Sequence, residues 1–327
     1  MQLLNFYIFT FLLKFTFTFA AFIPNGRESH SCGGFKSNGF VSGITNEFFY
    51  LDVSKPFTTT DNDSIPWIDL TYTGGPLKTG ATACIGGKNN DLIFIFGGIS
   101  NFSDDLNAFQ SFVNQFDTNK QQWINITSVG NVPTNRNDFS CANFNNGLIA
   151  IFSGLFEPAY GIVTNDLWIF NTLTLAWSLS NATNAPLPMF GYCAVTFPDG
   201  NILYIGGYSF NLSNYMPMNN LPLYNTKSDI WKNMSISGPT PHARYYFSAV
   251  LTSDGRIIIF GGFDSASYFG DLWVLDITMF QWSIGKILNP IVNLTLYGHT
   301  ATLVDDYMFV SFGKSFNYLY AVTYLCL

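Results

Sequence analysis

An apolar run that ends in glycine returns every fifty-odd residues along this chain, and no other feature constrains its fold as strongly. The runs Leu92–Phe96, Leu148–Phe152 and Ile202–Ile205 lead into Gly97-Gly98, Ser153-Gly154 and Gly206-Gly207. Those at 257–260 and 307–312 lead into Gly261-Gly262 and Gly313, and a weaker first copy ends at Gly43. The last glycines stand at 43, 98, 154, 207, 262 and 313, so the steps are 55, 56, 53, 55 and 51 residues. A second column keeps the same phase: Trp67, Trp123, Trp177, Trp231 and Trp282 follow those glycines by 24, 25, 23, 24 and 20 residues. A third column precedes them. Arg27, Lys78, Arg136, Met189, Arg244 and Leu296 each stand three residues before His30, Ala81, Phe139, Tyr192, Phe247 and His299.

Each repeat has room for four short strands. Strand a carries the Arg/Lys-x-x-aromatic column, and strand b is the apolar run into the glycines. Strand c follows, as in Asn165-Asp166-Leu167-Trp168 and Gly270-Asp271-Leu272-Trp273, and strand d holds the spaced tryptophan. Asn146-Gly147, Asp199-Gly200 and Asp254-Gly255 are a–b hairpin signals, because these pairs adopt the positive φ angles that tight hairpins need. A glycine pair, an aromatic strand and a tryptophan about 24 residues on together resemble the Kelch repeat. The resemblance runs from Arg27 to about Thr323, and is similar in kind to secreted fungal Kelch proteins, of the galactose-oxidase-like or attractin-like propeller type. It implies an all-β chain: a Kelch-type β-propeller of about six four-stranded blades. The repeats fall at about 27–70, 78–126, 136–180, 189–236, 244–285 and 296–327.

The first and last blades are expected to be degenerate or incomplete. The first has only a short strand b at 39–43, and the sixth has no strand d and no tryptophan. A propeller usually closes by pairing strands from its two chain ends, and neither end here offers a spare one. Residues 1–21 read as a signal peptide, with 22–327 as the propeller. Residues 3–19 are mostly apolar and aromatic, and Ala20-Ala21 supplies a small-residue cleavage site. The chain is therefore expected to be secreted, or anchored in a membrane if that segment stays uncleaved.

Composition narrows the function. Among 327 residues only 11% are charged, the net charge is −7, and no Lys/Arg cluster occurs. Nucleic-acid binding, which needs a basic surface to neutralise phosphates, is excluded as a reading. The galactose-oxidase resemblance implies, as an alternative, a copper-radical oxidase whose metal is held by two Tyr and two His. This chain has three histidines, His30, His242 and His299, none of which follows a tyrosine, so that site does not map. His30 and His299 share a column, yet two ligands without a carboxylate are too few for a zinc site. Gly86-Gly87-Lys88 lacks the earlier glycine of a phosphate loop, and Asp61-Asn62-Asp63 lacks the glycine and glutamate of a calcium loop. Five cysteines without CxxC spacing indicate no disulfide framework, and Cys32, Cys141 and Cys193 read as small buried hydrophobes. No catalytic residue, metal or cofactor is expected.

What remains is a binding module for a protein or carbohydrate. The b–c loops at 99–107, 155–164, 208–220 and 263–269 are longer and more varied than the a–b turns, and variable loops on a rigid scaffold are where binding resides. They carry Phe102, Phe156, Tyr160, Phe210, Tyr215, Tyr268 and Phe269. Tyr215 and Tyr268 are candidate ligand contacts. Arg27, Lys78, Arg136 and Arg244 stand at the start of strand a on the same face, where the Kelch resemblance implies a grip on acidic ligand groups. The same residues could instead cap loop carbonyls between blades. Seven Asn-x-Ser/Thr sequons occur, and Asn101, Asn125, Asn211, Asn233 and Asn293 are expected to carry glycans.

Overall fold

The computed structural model describes residues 27–28, 35–37, 42–54, 65–99, 111–144, 147–156, 164–287, 294–315 and 322–326. The segment 1–21, His30, Cys32, Phe102, Tyr160, Asn101 and Asn293 lie outside them.

The repeats become a β-propeller. Repeats 2 to 5 each form one antiparallel four-stranded sheet in the chain order a-b-c-d. In repeat 3 the strands are Cys141–Phe144, Leu148–Phe152, Leu167–Asn171 and Ala176–Leu179. Repeat 6 contributes three strands, Thr300–Val304, Tyr307–Ser311 and Val322–Cys326, and lacks a strand d among the described residues. Repeat 1 is divided: Phe49–Leu51 pairs with Trp67–Asp69, while Arg27–Glu28, Phe35–Ser37 and Ser42–Ile44 form a separate small sheet. The a strands of repeats 2 to 6 neighbour one another in order, so they line the inside of the ring.

Strand b reads as an unbroken apolar run because both of its faces are covered by neighbouring blades. Ile149 to Phe152 and Ile202 to Ile205 are fully enclosed. The tryptophan of strand d fills the gap to the preceding blade. Trp177 lies against Phe96 and Phe112, and Trp231 against Phe152, at ring distances of 4.9–5.8 Å. Trp282 is the most deeply enclosed of the column and donates its Nε1 hydrogen to the Met218 carbonyl at 2.7 Å. Trp123 is only half-buried, against Phe48 and Phe116, because its indole edge turns outward to donate to Thr73 Oγ1 at 3.0 Å.

The first glycine of each pair is required where the next blade crosses it: a Cβ on Gly206, at φ 62°, would meet the Arg244 carbonyl oxygen at 2.8 Å. Ser153 takes this position in repeat 3 at φ 53°, and repeat 6 departs furthest. Phe312 occupies that position at φ 61° and sends its ring into repeat 1, 5.9 Å from Phe49 and 6.3 Å from Trp67. The first and last repeats thus meet through side-chain packing, where the sequence offered no closing strand.

Two expectations are corrected. Strand a proper begins about four residues after the basic column, so Arg136-Asn137 precede it and pair with Leu155–Phe156 at the blade's rim. Cys141 is not a plain buried hydrophobe: it forms a disulfide with Cys84, joining the a strands of repeats 2 and 3 across a Cα separation of 6.4 Å. The partners are 57 residues apart, so neither spacing nor column position paired them. Cys193 keeps its thiol, which donates to the Phe247 carbonyl at 3.2 Å.

Candidate functional site

At one end of the channel the chain enters strand a through a left-handed residue. Gly80, Asp138, Gly191, Tyr246 and Gly298 all have φ between 53° and 66°, one in each of repeats 2 to 6. Their backbones form a chain around the mouth. The Asp138, Gly191, Tyr246 and Gly298 amides donate to the carbonyls of Gly80, Asp138, Gly191 and Tyr246 at 2.7–2.9 Å. Behind this rim lies a cavity of about 190 Å³, bordered by Asp138, Gly191, Tyr246, Gly298 and the strand-a residues Thr82, Ser140 and His299. Side chains here also stitch blades together: Thr82 Oγ1 accepts from the Cys141 amide, and Ser140 Oγ from the Ala194 amide.

Of the histidine column, His299 lies within the described residues, and it resolves into packing. His299 is enclosed, shares a 2.9 Å hydrogen bond between Nε2 and Ser248 Oγ, and lies edge-on to Phe260. Burial pulls its pKa down to about 3, so it is neutral. Among the described residues, no group of three or more His, Cys, Asp or Glu is placed to hold a metal ion.

The basic column lies at this end but inside the blades. Arg136 is 2% exposed and Arg244 0%. Arg136 donates to both oxygens of Asp166 at 2.7 and 3.0 Å, and to the carbonyls of Ser153 and Thr134 at 3.1 Å. Arg244 repeats the pattern on Asp271 at 2.5 and 3.0 Å and on the carbonyls of Gly261 and His242 at 3.0 Å, with its guanidinium carbon 4.0 Å from the Phe269 ring centre. The same carboxylates accept from Trp168 and Trp273 Nε1. Burial pushes the Asp166 and Asp271 pKa values up, but the hydrogen bonds and charge of their arginines outweigh it, and both end below the usual carboxylate range. Lys78 is also buried and donates to the Ser111 carbonyl at 2.7 Å. Arg27 stands opposite Lys36 in the small sheet of repeat 1. The structure therefore places Lys78, Arg136 and Arg244 as caps on their own blades' carbonyls, which leaves the ring of exposed cations expected from the sequence without these three members.

Tyr215 and Tyr268 fare differently. Both join an aromatic wall that spans three consecutive repeats beside the mouth. Phe190, Tyr208, Phe210 and Tyr215 come from repeat 4, Tyr245, Tyr246, Phe263 and Tyr268 from repeat 5, and Tyr297 from repeat 6. Consecutive rings stand 4.2–5.8 Å apart: Phe210 on Phe190, Phe190 on Tyr208, Tyr208 on Tyr215, Tyr215 on Tyr245, Tyr245 on Phe263, and Phe263 on Tyr268 and Tyr297. Backbone bridges hold it: Phe190 with Tyr208, Tyr245 with Phe263, Phe263 with Tyr268. Phe210 and Tyr268 are 41% and 37% exposed, and most of the others are half-buried. Burial raises the phenol pKa of Tyr245, and the neighbouring Tyr215, Tyr208, Tyr268 and Asp138 add to it. The loop aromatics were visible in the sequence. Tyr245, Tyr246 and Tyr297 were not singled out, because they sit between the columns, one or two residues after the basic one.

A ring of four-stranded meanders whose a strands line a channel, with long loops gathered at one mouth, is a β-propeller scaffold. The chain belongs to the Kelch-repeat family: the KLHDC2/KLHL20/DRC7 Kelch-repeats domain matches residues 32–254, and the attractin/LZTR1 beta-propeller matches residues 202–325. It is similar to tip elongation aberrant protein 1 of Schizosaccharomyces pombe, 30% identical over 218 residues, which cover 64% of this chain and 18% of that protein. It is also similar to Kelch domain-containing protein 3 of Rattus norvegicus, 27% identical over 263 residues, 74% of this chain and 63% of the relative. Host cell factor 1 of the same species is 26% identical over 249 residues, 68% of this chain and 11% of the relative. The chain thus spans less than two thirds of the length of each.

Proposed function

We propose that this chain is a secreted binding module which holds a protein or carbohydrate ligand on the aromatic wall of repeats 4 to 6. One observation carries the reading: aromatic side chains from the loops of three consecutive blades form a continuous, partly exposed array beside the channel mouth. Aromatic clusters of this kind supply large contact area at low conformational cost, and exposed ones mark interaction surfaces. Phe210 and Tyr268 are its outward members, and Tyr215 is half-buried beside them.

Secretion is supported by the apolar segment 1–21 and by the Cys84–Cys141 disulfide, since such bonds persist in oxidising compartments. The sequons Asn125, Asn211 and Asn233 are exposed, as glycan acceptors must be. N-terminal sequencing of the mature protein should begin near residue 21 or 22; a start at Met1 or Gln2 would sink this part. For the binding site, the purified protein is screened on glycan and peptide arrays beside the double variant Tyr215→Ala/Tyr268→Ala. Truncating two such anchors should weaken an identified ligand by about 2 kcal/mol or more while the melting temperature holds. Equal binding by both proteins would move the site elsewhere.

A further inference from the structure

The left-handed rim around the channel mouth is glycine in repeats 2, 4 and 6, where the conformation costs nothing. In repeats 3 and 5 it is Asp138 and Tyr246, at φ 55° and 53°. A bulky residue such as tyrosine rarely accepts that conformation, and residues held so tend to cluster at ligand sites. Both residues line the 190 Å³ cavity, on either side of Gly191. Tyr246 also joins the rim to the wall, with ring centres 4.7 Å from Tyr245 and 6.2 Å from Phe190. Arg136 and Arg244 are buried beneath their own carboxylates, while Asp166 and Asp271 keep 26% and 38% of their surface in solvent. Each pair thus turns its anionic end outward, and Asp138 adds a carboxylate at the rim.

We infer that the channel mouth is a subsite for a lysine side chain of a protein partner, with Asp138 as counter-ion and Tyr246 as the ring beside its stem. The inference rests on reading this end as the ligand-binding end, and it narrows the ligand to a basic peptide. Three features suit lysine. The cavity, about 190 Å³, has room for one side-chain stem and a compact ammonium. Tyrosine faces attract cations. The aromatic wall beside the mouth spans three consecutive repeats, more surface than a single small amine would cover.

The test uses a tetralysine peptide, its fully ε-acetylated counterpart, and the full-length mature protein, with binding measured by titration calorimetry. Three single variants accompany the parent: Asp138→Asn and Tyr246→Gly, both compatible with a left-handed backbone, and Asp254→Asn, which removes one charge at an a–b turn on the opposite end. Tetralysine should bind the parent, and the acetylated peptide should not. Asp138→Asn should weaken binding roughly ten- to hundredfold, Tyr246→Gly should weaken it too, and Asp254→Asn should leave it within about twofold. The subsite is overturned if tetralysine ignores the parent, or if Asp138→Asn and Asp254→Asn act alike. If the Tyr215→Ala/Tyr268→Ala protein loses an array ligand that Asp138→Asn retains, the lysine subsite fails while the aromatic wall stands.

Discussion

Repeats 3 and 5 place an arginine four or five residues before strand a, and repeat 4 places Met189 there, yet all three blades have the same four-stranded frame. The partner position on strand c changes in step. At the start of strand c it is Asp166 in repeat 3, Asp271 in repeat 5 and, by extension of the Leu203–Leu223 register, Asn220 in repeat 4. Where arginine is present, its fork gathers the carboxylate and two carbonyls. Where methionine is present, it is buried as an apolar plug, 1% exposed. The comparison teaches that this column supports the blade by either route, and that arginine needs its aspartate. Buried ion pairs commonly behave this way: the pair is replaceable as a whole, and costly to break by halves.

The sharpest way to break the comparison is Arg244→Ala, which strands Asp271 and two carbonyls. It should destabilise the protein by about 4–5 kcal/mol. The double variant Arg244→Met/Asp271→Asn rebuilds repeat 4 inside repeat 5 and should recover most of that loss. Chemical denaturation of both decides it: a double variant as unstable as the single one would mean that the fork is irreplaceable.

A smaller difference separates the tryptophans of the same two repeats. Trp282 of repeat 5 donates to Met218, whereas Trp231 of repeat 4 is buried with no partner for its Nε1. Trp282→Ala should cost about 3–4 kcal/mol. Trp231→Ala should cost about 1 kcal/mol less, because it removes a group whose hydrogen bond was never made. Equal midpoint shifts in the two variants would show that the Met218 bond contributes nothing net.

The smallest expected effect concerns the aromatic column, where repeats 3 and 5 have Phe139 and Phe247 and repeat 6 has His299. The folded chain holds His299 neutral down to about pH 3, whereas the unfolded chain takes up its proton near pH 6.5. Stability from this residue is therefore complete above pH 6.5 and falls as the pH drops, by up to about 1.4 kcal/mol per pH unit. His299→Phe should flatten the stability profile between pH 7 and pH 5 relative to the parent. Parallel profiles for the two proteins would remove His299 as the cause.

The repeats, the four strands of each complete blade and the burial of most of the tryptophan column were legible from residue order. So was the end of the propeller at which the long aromatic loops gather. Those features arise from neighbours in sequence: alternation along a strand, glycine at a turn, a fixed distance between columns. The basic column was equally visible, but its role was not. Arg136 and Arg244 meet their aspartates 30 and 27 residues later, after the chain has run through strands a and b and the loop beyond. A signal did exist, since Asp-Leu-Trp occurs in repeats 3 and 5, the repeats of Arg136 and Arg244.

By itself, then, the sequence determined the repeating unit, because each blade must bury the same apolar strand on both faces whatever its neighbours are. Only the tertiary structure decided how the blades meet. It brought Phe312 onto Trp67 from the far end of the chain, joined Cys84 to Cys141, and set Tyr215, Tyr245 and Tyr297 into one wall. These contacts lie between repeats, and which residues face one another across a blade interface depends on how the twisted sheets stack about the channel. That stacking is a property of the whole ring, and no single repeat carries it.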